Sequence, residues 1–136
     1  MGFIYNDDLG RLVLRVNLGF LFLFHGAGFL RGQTNILTNT DPVPDFIIWP
    51  LAVLAEVASP IAAILGVYSR AGAFFMAAFM VAAILLRHTF GDLNHWFMVE
   101  GDAYRLEAQF FLLWSSVAVV FLGAGKYSLK IGGKWN

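Results

Sequence analysis

The chain contains no cysteine, which excludes disulfides, thiolate nucleophiles, persulfide chemistry, cysteine-ligated iron-sulfur clusters and c-type haem attachment together. A redox role would therefore need a bound cofactor or a partner. Charge is scarce as well: 13% of the 136 residues are charged, with nine basic and nine acidic side chains. A soluble domain of this size would have too few charges to cover its surface. The basic residues are scattered along the chain, so the electrostatic footprint of nucleic-acid binding is missing and no nucleic-acid partner is expected. Histidine occurs three times, with no i, i+4 pair and no H-x-x-E spacing. No metal site is expected on that basis, and a b-type haem would rest on His25 and His88 alone.

What the chain has in excess is apolar surface. Hydrophobic residues make up 59% of it, and mean hydropathy is +0.70. A membrane-crossing helix needs about 20 mostly apolar residues, and four runs approach that length, at about 9–30, 46–68, 71–90 and 104–123. Residues 31–45 carry Asn, Thr, Asp and Pro, which is turn chemistry with no place in lipid. Residues 67–72 read as a tight turn and residues 91–104 as a second long polar loop. The expectation is an all-α integral membrane protein, an antiparallel four-helix bundle formed by one domain over residues 1–136. With Asp7 and Asp8 ahead of the first run and no convincing cleavage site at 27–32, that run is expected to be a retained span.

Basic residues orient the bundle. Arg31, Arg87 and Arg105 fall on the side of the long loops, whereas Arg11, Arg15, Arg70, Lys126, Lys130 and Lys134 fall on the other. The positive-inside bias then predicts cytoplasmic termini. Trp49 and Trp96 would lie near the outer boundary and Trp135 near the inner one. Arg11, Arg15 and Arg70 are within snorkelling reach of the cytoplasmic surface, so topology accounts for them and no chemistry is assigned to them.

Helices in lipid associate through close packing rather than through apolar burial. The second run offers Ala52, Ala55, Ser59, Ala62 and Gly66 at three- and four-residue steps, and the first offers Gly19 and Gly26. These are the expected packing positions, with Ala71, Ala78 and Ala82 continuing the theme on the third. Pro60 removes a backbone donor within the second run and is expected to bend it, with Ser59 offsetting part of the deficit.

Ionisable groups within the runs need a separate account, because each costs a few kcal/mol at the bilayer centre. His25 lies about 15 Å along a helix from Arg15, and Glu56 lies near mid-membrane. His88 ends the third run, and Glu107 and Gln109 begin the fourth. The expected site is thus a polar cluster of His25, Glu56, His88 and Glu107 in the outer half, with His25 turned inward. Its bland reading is a hydrogen-bonded lock between helices. Its functional reading is a dry pocket in which these groups pass protons to a quinone or similar ligand. His95, Trp96, Glu100 and Asp102 read as a solvated loop at the mouth of the bundle.

Several segments, in this order and spacing, resemble the DoxX family of small bacterial inner-membrane proteins: LRVNLGFLFLFHGAG, LAEVASPIAAILGVYSRAGA, the third run ending at His88, and the tail GAGKYSLK. The family pattern matches at His25, Gly26, Glu56, Gly66, Arg70, His88, Glu107, Gly123, Gly125, Tyr127 and Ser128. The chain departs from it with Phe29 in place of a lysine, with Ser59 and Pro60 in place of a glycine pair, and with its tail in place of GPGRYSLD. The resemblance implies a four-helix membrane protein linked to respiratory or oxidative-stress complexes, with a related branch acting in thiosulfate oxidation to quinone. The leading expectation is an accessory or anchoring subunit in contact with other membrane subunits or with its own copies. The alternative is a quinone-interacting oxidoreductase module. A transporter ranks last, because no inverted repeat is visible.

Overall fold

A computed structural model of the chain describes residues 6–31, 45–89, 99–100, 103–104 and 106–136. Of the expected loop over 31–45, residues 32–44 lie outside the described residues, as does most of that over 91–104, including His95, Trp96 and Asp102.

Helix α1 covers Asp7–Leu30. Asn6 caps it: its side-chain Oδ1 accepts the Leu9 N–H at 3.1 Å, satisfying one of the orphan donors at a helix start. Asp7 and Asp8 in the first turn suit the positive end of the helix dipole. The second rod is continuous but not uniform. It runs as α2 (Asp45–Val53), a π turn (Leu54–Ala58) and α3 (Ser59–Leu65).

Pro60 explains the π turn. A proline has no N–H to offer the carbonyl four residues back and its ring crowds that carbonyl, which here belongs to Glu56. The chain widens by one residue just before it, and the Ser59 N–H reaches Leu54 O, five residues back. The bend expected at Pro60 thus takes the form of a locally wider helix.

Gly66 ends α3 in the left-handed region at φ 74°, with its N–H on Ala62 and Ala63 carbonyls. The Val67 N–H bonds Ala62 O at 2.9 Å, completing a Schellman-type stop. The expected turn at 67–72 is therefore shorter and earlier, at residues 66–68, because α4 begins at Ser69 and runs to Thr89. Val99–Glu100 pairs antiparallel with Ala103–Tyr104 in a short hairpin. Helix α5 covers Glu107–Leu122, and the tail ends in a 3-10 turn at Gly133–Trp135.

The four rods form a ring: α1 packs on α3, α3 on α4, α4 on α5, and α5 back on α1. Neighbours run antiparallel, since Gly19 opposes Pro60 and Ile64 while Gly26 opposes Glu56 and Val57. Leu18, Phe22, Ala63, Met76, Met80, Leu112 and Val119 form the shared core. Two helical segments, Asp7–Gly28 and Phe46–Leu65, are long and apolar enough to cross a membrane, and Ser69–Leu85 and Glu107–Leu122 are shorter apolar helices. Large apolar side chains cover the outside, among them Phe20, Phe24, Phe74, Phe111, Trp114 and Phe121.

The packing positions fall as follows. A Cβ on Gly19 would come within 2.8 Å of the Pro60 carbonyl oxygen, and one on Gly26 would collide with the Glu56 carbonyl. Ala52, Ala55 and Ser59 are buried, whereas Ala62 is only half-buried. On α4 the buried face is Gly72, Ala73, Met76, Ala77 and Met80, while Ala78 and Ala82 are exposed. Those two line a shallow apolar groove with Leu51, Leu54, Ala55, Phe75 and Phe79, so α4 is rotated away from the expected alanine stripe. The methionines fill the interior, as suits an unbranched side chain in an irregular gap.

Candidate functional site

Polar groups collect at two places, one at each end of the ring. Towards the loop end, Glu56 sits within the π turn and is 8% exposed. His25 on α1 is its neighbour. The two are brought close because Gly26, next to His25, lets α1 approach the Glu56 backbone.

His25 itself is exposed, contrary to the expectation that it turns inward. Its Nδ1 lies 3.1 Å from the Leu21 carbonyl of its own helix. A carbonyl only accepts, so Nδ1 donates and, in the neutral ring, Nε2 keeps a free lone pair. The ring is thus held on the rim of the bundle, with the buried Glu56 side chain behind it.

Of the rest of the expected cluster, Glu107 has a described side chain and His88 does not. Glu107, in the first turn of α5, is exposed. Helix α5 is diagonal to the second rod in the ring, so its outward face turns away from Glu56. The backbone of His88 lies in the last turn of α4, and its side chain is outside the described residues. Gln109 Oε1 is inaccessible and lacks a hydrogen-bond partner among the described residues. Among those residues no group of three or more His, Asp or Glu side chains is placed to hold a metal ion.

At the other end the tail folds back over the ring, and its key contact is one the sequence reading did not assign. Arg15, expected to snorkel, is 1% exposed. Its Nη2 donates to the Tyr127 carbonyl, and its Nη1 occupies the space that a side chain on Gly66 would take. The cause is steric: the left-handed turn at Gly66 presents bare backbone on that side, and Tyr127 and Ser128 close over it.

Further bonds hold the tail. Asp8 Oδ1 accepts the Lys126 N–H at 2.9 Å, the Tyr68 N–H donates to Ile131 O at 2.8 Å and the Leu129 N–H to Leu65 O at 3.3 Å. Asn136 bridges Ser69 and Ser128. Gly66, Arg70, Gly123, Gly125, Tyr127 and Ser128, scattered in sequence, therefore meet at one end of the fold. A signal was present in the glycines of GAGKYS, but its target, Arg15, is 112 positions away.

The family model described as DoxX matches residues 10–89. A protein of Haemophilus influenzae, described only as uncharacterized, is 29% identical over 119 residues, covering 85% of this chain and 84% of its own length. No solved structure matches.

Proposed function

The chain belongs to the DoxX family of membrane proteins, and on that premise we propose that it is an accessory or anchoring subunit of a membrane-bound respiratory or redox complex. The observation that carries this reading is the rim position of His25. An imidazole lies exposed within the apolar Asp7–Gly28 segment, with a buried carboxylate behind it. A polar ring facing hydrocarbon is costly, and a neighbouring subunit that hydrogen-bonds Nε2 removes the cost. The exposed Phe20 and Phe24, stacked edge to face at 4.9 Å, supply an aromatic surface on the same helix for such a neighbour. The setting is a bacterial inner membrane, with four crossings and both termini in the cytoplasm.

The test is mass spectrometry of the tagged protein drawn from native membranes in mild detergent, reading proteins and small lipophiles together. Redox subunits in stoichiometric amount are expected with the native chain and are lost with His25→Ala. A lone protein under every extraction condition would overturn the reading.

A second reading is favoured by the His25 tautomer. With Nδ1 committed to Leu21, Nε2 is free to accept a proton from a quinol hydroxyl, and Glu56 supports the resulting imidazolium. In that case the same experiment yields a lone protein carrying quinone, and both His25→Ala and Glu56→Gln release it.

A further inference from the structure

We propose that the docked tail forms a binding surface for anionic phospholipid headgroups at the end of the bundle that carries the termini. The proposal rests on the chain being a membrane protein and is independent of what His25 and Glu56 do.

Its first support is charge. Residues 123–136 contain Lys126, Lys130 and Lys134 and no Asp or Glu, and all three lysines are exposed. With Arg11, Arg15 and Arg70, this end holds six basic side chains against two acidic ones, Asp7 and Asp8. One of those carboxylates, Asp8, is already engaged by the Lys126 backbone N–H.

The second support is the unmet hydrogen-bonding capacity beneath the lysines. Nε of Arg11, Nε of Arg70, and both Nε and Nη1 of Arg15 are inaccessible and without a hydrogen-bond partner among the described residues. The Arg15 guanidinium is 1% exposed, with one bond to a carbonyl, in a poorly solvated place. Anions close outside it are attracted more strongly than they would be by a solvated side chain.

The third support is the company the lysines keep. Tyr127, Leu129, Ile131 and Trp135 are 47%, 59%, 52% and 62% exposed. They interleave with the lysines on a backbone pinned to the helices, so they cannot collapse onto the bundle to escape water. A rigid layer of basic and amphipathic side chains matches the headgroup zone, where lysine stems and aromatic rings are apolar below and polar above. An acidic lipid satisfies both components at once: its phosphate meets the cations and its upper acyl segment meets the exposed rings.

The experiment uses the full chain in nanodiscs of three parts phosphatidylcholine to one part phosphatidylglycerol, followed by native mass spectrometry to count the lipids retained on release. Phosphatidylglycerol is expected to be enriched over its bulk share. Replacing all three lysines (K126Q, K130Q and K134Q) is expected to lower the retained ratio of phosphatidylglycerol to phosphatidylcholine at least about tenfold, since each lysine near an acidic surface contributes roughly fivefold. Arg31→Gln, at the opposite end, is expected to leave it unchanged. Because the three lysines are exposed, the triple variant should melt with the parent in phosphatidylcholine alone and lose only the thermal upshift that added phosphatidylglycerol produces. Equal retention of both lipids by the native chain, or an undiminished preference in the triple variant, overturns the proposal. So does capture of a polyglutamate peptide without any lipid preference, which would assign the surface to an acidic protein partner.

Discussion

Single residues set the spacing of this bundle, and two glycines on one helix show how differently the same residue type can act. Gly10 has nothing within 4 Å of a would-be Cβ, whereas one on Gly26 would run into the Glu56 carbonyl. Gly10→Ala should therefore stabilise the protein by about 0.5–1 kcal/mol through helix propensity alone. Gly26→Ala should destabilise it by about 2 kcal/mol, in the range for overpacking a close contact. Thermal unfolding of both variants in one detergent checks the pair, and equal effects would mean that α1 does not meet the π turn at Gly26. The small residues of the second run were legible from spacing alone, but which of them touch a neighbour was not. Ala62 is half-buried while Ala52 is wholly buried, and both fit the same three- and four-residue pattern.

At the level of elements, the tail is a strap whose anchor is Arg15. The Tyr127 carbonyl takes a charge-assisted bond from a buried guanidinium, which contributes about 1.5–3 kcal/mol in such settings. Arg15→Leu removes the donor and keeps the apolar bulk, so the strap should open more often while the helices stay packed. Trypsin cleavage at Lys126, Lys130 and Lys134 is expected to accelerate about tenfold, the factor that 1.4 kcal/mol of local opening corresponds to, with helical circular dichroism unchanged. Unaltered cleavage would show that the other tail bonds suffice. The sequence announced Pro60 as a disruption, and the structure resolves it as a π turn that carries Glu56. A missing N–H can be absorbed by a kink or by widening the helix, and which of these occurs depends on the neighbour packed alongside, here α1.

For the whole molecule, the ring of four antiparallel rods brings the start of α1, the 66–68 turn and the tail to one end. If that end is cytoplasmic, single cysteines placed at Tyr68 and at Lys134 should resist a membrane-impermeant maleimide in intact cells and react after lysis. The absence of native cysteine makes the readout free of background. Opposite behaviour at the two positions would be incompatible with a single orientation of the ring. At 16 residues, α5 extends about 24 Å, short of the ~30 Å hydrocarbon core of a bilayer. By itself the sequence determined that the chain is built from apolar helices, where they begin and end to within a few residues, and which chemistries cysteine would have supplied and cannot. Those properties are local sums over neighbouring residues, and hydropathy and turn residues report them directly. Only the tertiary structure decided that Arg15 is enclosed, that His25 stands on the rim while Glu56 is buried, and that Glu107 is exposed. These depend on the rotation of each helix about its axis, which a chain apolar on every side encodes weakly, and on contacts between residues far apart in sequence that no local pattern records.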